Sequence, residues 1–262
     1  MNLFRVPWEE DFPDTILHTN LRTRDTHPDY EAAKSGDPLA AARLAVDLIN
    51  PKALDHLRHL IGEKKPLLTA VSAIETTGFN AIPDAMVSVI EKYIGKGLVE
   101  VEKGEIRQIN KVAHTRAKGF WRFVTPALFT GQVAAGQSYI LVDDHIGHGG
   151  TLANLRGYIN HHGGQVIGMT TLTETRAAKK IKLDPTTLDM LRLKHGQDLE
   201  HLWLSTFGYD LDCLTNVEGE YLARQPDVDT IRRFMAAAAE EARAAGLQPL
   251  YRDANNNEII TD

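Results

Sequence analysis

The sequence predicts an α/β fold, a doubly wound parallel sheet with an amino-terminal helical arm and a carboxyl-terminal helix. SYILVDD (138–144), LANLRGYINHHGG (152–164) and QVIGMTTLT (165–173) follow one another as strand, helix and strand. This spacing is typical of a parallel βαβ unit. Upstream, the apolar run PLLTAVSAI (66–74) precedes AIPDAMVSVIEKYIG (81–95), which has helical periodicity and a closing glycine. The two units together favour one parallel sheet.

The flanking segments give the predicted domain organisation. Residues 1–29 lack a clean period and predict an irregular arm, whereas apolar residues recur at helical spacing from Pro28 to Leu60 and predict two or three helices. Residues 99–124 alternate charged and apolar side chains and predict a hairpin or a mobile loop. LEHLWLSTFGYDL (199–211) is interpreted as a last strand and 227–246 as a capped helix. The division is therefore 1–60 for the arm and helical extension, 61–215 for the core, and 216–262 for a carboxyl-terminal helical extension.

Composition restricts the possible partners. The 262 residues carry a formal net charge of −6, which gives no basic footprint for nucleic acid. Cys213 is the only cysteine, so an intrachain disulfide and a cysteine-based metal cluster are excluded. The first residues lack the pattern of a secretion signal, and no apolar run approaches the roughly 18 residues of a membrane helix. We expect a cytoplasmic protein with small-molecule substrates, no membrane or nucleic-acid partner, and a homodimeric state.

The stretch ILVDDHIGHGGT (140–151) is the strongest candidate site. A buried strand runs into two adjacent aspartates and then a glycine-rich turn, at the edge of a parallel sheet where ligands bind. Glycines at a strand-to-helix turn let backbone N–H groups and the positive helix end hold an anion. Two carboxylates beside a phosphate need other partners, such as sugar hydroxyls or a divalent cation. The combination predicts a phosphorylated sugar with magnesium; the alternative is a capped turn without a ligand.

This stretch resembles the signature of the type I phosphoribosyltransferases, which is an apolar strand, two acidic residues, two mostly apolar residues, two small hydroxyl residues, and Gly-x-Thr. The match covers the strand, Asp143 and Asp144, Ile146, Gly149 and Thr151, and the sequence departs from the pattern at His145, Gly147 and His148. The resemblance implies that 5-phosphoribosyl-1-pyrophosphate (PRPP) is the donor. It places the 5-phosphate loop at His145, Ile146, Gly147, His148, Gly149, Gly150 and Thr151.

The same resemblance assigns further segments by their order along the chain. In the family a pyrophosphate loop and a closing loop precede the signature strand, and a variable hood binds the acceptor. The resemblance implies a pyrophosphate loop at Glu75, Thr76, Thr77 and Gly78. It makes His114, Arg116 and Lys118 candidates for the closing loop, with a solvated basic turn as the alternative. Trp203, Phe207 and Tyr209 are candidates for stacking on the acceptor, with a place in the apolar core as the alternative. The basic residue that is common in the pyrophosphate loop is missing.

The implied reaction is the displacement of pyrophosphate from the anomeric carbon of PRPP by a nitrogenous acceptor, for which a nucleobase is expected. Asp143 and Asp144 would be the catalytic pair, orienting the ribose and supporting Mg²⁺ directly or indirectly. Positive charge develops on the ribose, so positioning and electrostatics would supply most of the catalysis. No residue stands out as a general base.

Two other classes of function stay open from the sequence. A non-catalytic regulator on the same fold would bind PRPP or a nucleotide without turnover. A methyltransferase using S-adenosylmethionine would place Glu174 after the next strand, but its motif needs one residue between the aspartate and the first glycine, and two follow Asp144. A dinucleotide fingerprint fails because Leu152 occupies the position of its third glycine.

Overall fold

A five-stranded, fully parallel sheet with strand order β1-β9-β8-β2-β5 forms the centre of the protein. The computed structural model describes residues 3–71, 74–75, 78–95, 97–102, 104–110 and 119–251. Two short antiparallel pairs, β3 with β4 and β6 with β7, lie outside the central sheet. The strands are β1 (Ile16–Leu17), β2 (Leu67–Ala70), β3 (Ile74–Glu75), β4 (Gly78–Phe79), β5 (Glu100–Val101), β6 (Arg107–Gln108), β7 (Phe129–Thr130), β8 (Ser138–Ile146) and β9 (Gln165–Glu174).

Helices cover the sheet and extend beyond it. Several begin at residues whose side chains cap the first turn, as Asp37, Asn50 and Asp184 do, each followed by a proline at the first helical position. The helices are α1 (Leu21–Asp25), α2 (Tyr30–Lys34), α3 (Pro38–Leu48), α4 (Pro51–Ile61), α5 (Ile82–Ile94), α6 (Trp121–Val124), α7 (Gly150–His161), α8 (Pro185–Phe207), α9 (Asn216–Ala223) and α10 (Val228–Ala244).

The central strand β8 is buried on both faces. Ile140 and Val142 pack into an apolar cluster with α3, α4 and α5, whereas Tyr139 and Leu141 pack into a second cluster with α7. Side chains alternate along a strand, so a continuous apolar run fills two cores at once. The predicted α/β doubly wound fold is therefore confirmed.

A third apolar cluster lies among α6, α8, α9 and α10. Its centre is Trp203, which is fully buried and makes an edge contact with Phe123. The predicted strand at 199–211 is wrong: most of the segment belongs to α8. Leu191, Leu199, Trp203 and Phe207 recur at multiples of four residues, which is a helical stripe that a short apolar run did not distinguish from a strand.

The amino-terminal arm is part of the main body. β1 adds a parallel edge strand to β9, and Arg156 of α7 donates hydrogen bonds to the carbonyl oxygens of Val6 and Pro7 and contacts Glu9. These contacts cross the expected boundary at residue 60. The expectation of an irregular arm thus missed a strand and α1.

The segment between α5 and β8 differs in part from the expected hairpin. Glu100–Val101 joins the central sheet beside β2, and Arg107–Gln108 pairs with Phe129–Thr130.

Among the residues that the structure describes, no helix is long and apolar enough to cross a membrane. Cys213 is a buried free thiol that donates a hydrogen bond to Asp212.

Candidate functional site

A cavity of about 510 Å³ opens at the carboxyl edge of the sheet, where β2 and β8 end. The end of β8 and the glycine-rich turn form one wall. The rest of the lining comes from several distant parts of the chain. Among these residues are Lys34, Val71 and Asn80 on either side of the β3–β4 segment, Gln108, Arg122, Thr175 with Arg176 after β9, and Glu218.

Asp143 and Asp144 both line this cavity and are almost fully buried. Asp144 forms an ion pair with Lys34 of α2, with 3.0 Å between Nζ and Oδ2. The backbone N–H of Asp144 donates to Oδ1 of Asp143 at 2.8 Å. The strand continues through Ile146, two residues farther than the sequence indicated.

The pKa values of the two carboxyl groups are shifted in opposite directions. Burial, followed by the charge of Asp144, raises the pKa of Asp143 well above its usual range. Burial alone would also raise the pKa of Asp144, but the charge and hydrogen bond of Lys34, together with the hydrogen bond to Asp143 and the charge of Arg24, outweigh it, so that pKa is lowered. Of the two carboxyl groups, Asp144 therefore loses its proton more readily.

The glycine-rich turn leads from β8 into α7. Gly149 has φ +79°, a left-handed conformation that glycine adopts without strain, and α7 begins at the next residue. The first N–H groups of an α-helix have no partner within the helix, and the helix dipole makes that end positive. Gly147, His148, Gly149, Gly150 and Thr151 all line the cavity, so this helix end is presented to a ligand.

Two carbonyl groups of the turn accept hydrogen bonds from the arm and from the residue that caps α9. The hydroxyl of Thr215 donates to the carbonyl of His148, and Nη2 of Arg5 donates to that of Gly150 at 3.3 Å. In a trans peptide the C=O and the following N–H point in opposite directions. The N–H groups of Gly149 and Thr151 consequently point away from Thr215 and Arg5.

Arg5 itself is fixed by a buried ion pair. Its guanidinium donates to both carboxylate oxygens of Glu218 and, through Nε, to Oδ1 of Asn154 at 2.7 Å. Burial alone would lower the pKa of Arg5, but the charge and hydrogen bond of Glu218, together with Tyr209 and Cys213, outweigh it and the pKa is raised. Glu218 also completes a capping box with Thr215 at the start of α9. The arm, α7 and α9 are thus locked together beneath the turn.

Two histidines of the turn are partly buried. Burial, then the charge of Arg24, lowers the pKa of His145, whose Nδ1 lies 2.9 Å from the hydroxyl of Thr173. Burial, then the charge of Arg122, lowers the pKa of His148 to about 4. Both imidazoles are therefore neutral at pH 7.

The structure brings together the whole predicted stretch 143–151. Glu75 lies in β3 and Gly78 in β4, and the segment's flanking residues Val71 and Asn80 reach the cavity. The other predicted residues of these loops lie outside the described residues. They are Thr76, Thr77, His114, Arg116 and Lys118.

The three aromatic residues expected to stack on an acceptor lie in the apolar core, outside the cavity. Trp203, Phe207 and Tyr209 are 0%, 5% and 6% exposed, and they pack against one another in the apolar cluster of α8 and α10. None of them lines the cavity. Their ring faces are covered by protein, which argues against a stacking role.

Sequence reasoning missed most of the cations of the site. Arg122 lies just after the basic stretch that was interpreted as a closing loop, so extending that stretch by four residues from Lys118 would have included it. Lys34 and Arg5 come from the amino-terminal region, and no local sequence pattern marks them as residues of the site. Their proximity to the site arises from tertiary packing alone.

The chain was compared with known proteins by sequence. No protein-family model matches it. It is 40% identical over 238 residues to Protein TraN of Escherichia coli, covering 91% of this chain and 52% of the relative. It is 39% identical over 155 residues to an uncharacterized protein of Haemophilus influenzae, covering 59% of this chain and 34% of that protein.

Comparison with solved structures gives distant similarities. An adenine phosphoribosyltransferase matches with a TM-score of 0.33 and 18% identity, covering 48% of this chain and 72% of the other. The orotate phosphoribosyltransferase of Mycobacterium tuberculosis H37Rv matches with a TM-score of 0.29 and 15% identity, covering 56% and 66%. The chain spans about half the length of the TraN relative and about a third of the Haemophilus protein.

Proposed function

We propose that the protein is a phosphoribosyltransferase, which transfers ribose 5-phosphate from PRPP to a nitrogenous acceptor and releases pyrophosphate. One observation carries the proposal. The carboxyl pair Asp143 and Asp144 and the glycine-rich turn at the start of α7 line the same cavity at the carboxyl edge of a parallel sheet. This arrangement offers acceptors for sugar hydroxyls beside donors for a phosphate.

In this proposal the 5-phosphate binds at the turn, where backbone N–H groups and the positive end of α7 favour an anion. The ribose hydroxyls then lie against Asp143 and Asp144 and donate to them. The bonds from Thr215 and Arg5 keep the turn's carbonyl oxygens off the phosphate. A phosphorylated pentose would be oriented by both of its ends.

The residues also fit a magnesium ion brought with the substrate. Mg²⁺ is commonly bound through one or two carboxylates together with substrate phosphates and waters. Asp143 and Asp144 both line the cavity and are the carboxyl groups that would hold the ion, Asp143 once it has lost its proton. The described residues contain no cluster of three or more metal-ligating side chains, so substrate oxygens and waters would complete the shell. When bound, the ion would neutralise charge on the departing pyrophosphate.

The transfer breaks the bond from C1 of the ribose to a pyrophosphate oxygen, and the electron pair leaves with pyrophosphate. A bond from the acceptor nitrogen to C1 forms, and the acceptor loses a proton. Positive charge develops on the ribose, and the negative charge of Asp144 favours it. Lys34, which is paired with Asp144, lines the same cavity and would add positive charge near the leaving group.

Calorimetry with PRPP tests the proposal. The wild type is titrated with and without Mg²⁺ and compared with the double variant Asp143→Asn, Asp144→Asn, which preserves shape and removes charge. We expect magnesium-dependent binding that is lost in the variant. Equal affinity in the folded variant, or no binding by the folded wild type, would contradict the donor site.

A non-catalytic binder of PRPP or a nucleotide is the second candidate. The observation that favours it is Gly147 and His148, which stand where the family signature has small hydroxyl residues. Release of pyrophosphate with a panel of nucleobases distinguishes the two functions. Acceptor-dependent release supports the transferase, whereas PRPP binding without release by any base supports the binder.

A further inference from the structure

Two arginines from different segments meet at the wall of the glycine-rich turn. Arg122 of α6 places Nη1 only 3.3 Å from where a side chain on Gly147 would begin. Arg176, in the loop after β9, places Nη1 3.4 Å from Nε2 of His148. Both arginines and His148 line the same cavity as the turn.

These groups are not neutralised by carboxylates. Within the described part of the chain, neither Arg122 nor Arg176 forms an ion pair, and the nearby Glu218 is committed to Arg5. Burial, then the charge of Arg176, lowers the pKa of Arg122, which shows that the two charges oppose one another. Two positive charges are thus held together without a counterion.

Unsatisfied donors accompany this charge. Nε of Arg122 and Nδ1 of His148 are buried and have no hydrogen-bond partner. Because Nε2 of the neutral His148 accepts from Arg176, the hydrogen of this imidazole lies on Nδ1. Buried donors without acceptors are costly, and in native proteins such groups often mark a ligand position.

The backbone at Arg176 is conformationally strained. Arg176 and Ala177 have φ +59° and +57°, left-handed conformations that residues other than glycine adopt rarely. Strain of this kind persists where the surrounding structure enforces it and is concentrated at functional sites. Here it accompanies an arginine that lies beside His148.

We propose that Arg122, Arg176 and His148 form an anion subsite that holds a phosphate dianion at the turn and takes the place of the missing hydroxyl side chains. The inference rests on the proposed function in identifying this anion as the 5-phosphate of the sugar. Two guanidinium groups and the turn's N–H groups offer more donors than a carboxylate's two oxygens commonly use. A phosphate group has three terminal oxygens and a charge near −2, which match the donors and the two positive charges of Arg122 and Arg176.

Inorganic phosphate is the probe, because it has no hydroxyl-bearing sugar to bind the carboxyl pair. Phosphate binding is measured by calorimetry at low salt for the wild type, Arg122→Gln, Arg176→Gln and Arg232→Gln. Arg232 is an exposed residue of α10 with the same charge change. We expect at least a tenfold loss of affinity in the first two variants and no change in the third.

A second pair of variants separates binding from folding. Arg176→Gly and Ala177→Gly both relieve left-handed strain, but only the first removes a charge. We expect both proteins to be at least as stable as the wild type, and only Arg176→Gly to lose phosphate affinity. Wild-type affinity in all the arginine variants, or no phosphate binding by the folded wild type, would overturn the subsite. Phosphate binding that needs the arginines, together with no PRPP binding, would sustain the subsite and reject the transferase.

Discussion

Arg5 and Glu218 are 213 positions apart in the sequence, yet their side chains form a two-pronged ion pair with N–O distances of 2.5 and 2.9 Å. Both side chains are at most 5% exposed. Nη2 of Arg5 also reaches the carbonyl of Gly150. The ion pair therefore supports the glycine-rich turn, and the arm of the chain becomes part of the candidate site.

Replacing Arg5 with methionine should destabilise the protein and weaken phosphate binding together. The change leaves the carboxylate of Glu218 buried without its cation, and loss of one member of a buried ion pair costs about 3–5 kcal/mol. Denaturant unfolding and phosphate calorimetry measure the two effects. Arg22→Met, at an exposed position of α1, is the control and should change neither. An unfolding free energy of Arg5→Met equal to the wild-type value would refute the role of the pair.

The arm approaches α7 closely at one glycine. A side chain on Gly157 would begin 2.2 Å from the carbonyl oxygen of Phe4 and 2.7 Å from Cα of Arg5. Gly157→Ala should therefore displace the arm, lower the unfolding temperature, and weaken phosphate binding through Arg5. A double-mutant cycle with Arg5→Met tests this path. Strictly additive losses of affinity would show that the two changes act separately.

Lys34 should control the ionisation of Asp144. In Lys34→Met the burial of Asp144 is no longer opposed by a nearby ammonium, so its pKa should rise from below the usual range to above it. Carbon NMR of the carboxyl group follows the titration directly. Lys34→Arg should restore a low pKa, and Lys64→Met, at an exposed site, should have no effect. An unchanged titration in Lys34→Met would contradict the pairing.

Stability should fall in mild acid through His18. Its Nδ1 accepts from the N–H of Asn50 at 3.2 Å, and its Nε2 lies 3.0 Å from the hydroxyl of Thr170, an arrangement that suits the neutral ring. Burial lowers its pKa from 6.5 to about 4. The unfolded chain therefore binds the proton first, and this contribution is lost as pH falls from about 6.5 towards 4.

Unfolding free energies across this pH window check the prediction for His18. The folded pKa lies below the unfolded one, so the loss should amount to a few kcal/mol at most, on the order of 1.4 kcal/mol for each pKa unit. His18→Gln should flatten the pH dependence, whereas His56→Gln, at an exposed position of α4, should leave it intact. The same slope in His18→Gln as in the wild type would rule out His18 as its source.

Structural features could be predicted from the sequence where the residues that form them are adjacent in the chain. The strand, the two aspartates and the glycine-rich turn are adjacent, so their shared position at the sheet edge follows from strand and turn chemistry. Arg5, Lys34, Arg122 and Arg176 come from four segments, and no local pattern relates them. The apolar residues of α8 also satisfied a strand pattern over a short window. The length of the segment from Pro185 to Phe207, which is broken only at Gly196, is what distinguishes helix from strand.

A crystal structure with PRPP and Mg²⁺ tests the central claim most directly. The account predicts the 5-phosphate at the turn, within hydrogen-bond distance of backbone N–H groups between Gly147 and Thr151. The ribose hydroxyls should lie on Asp143 and Asp144. PRPP bound with its pyrophosphate at the turn, or outside the cavity, would contradict the account.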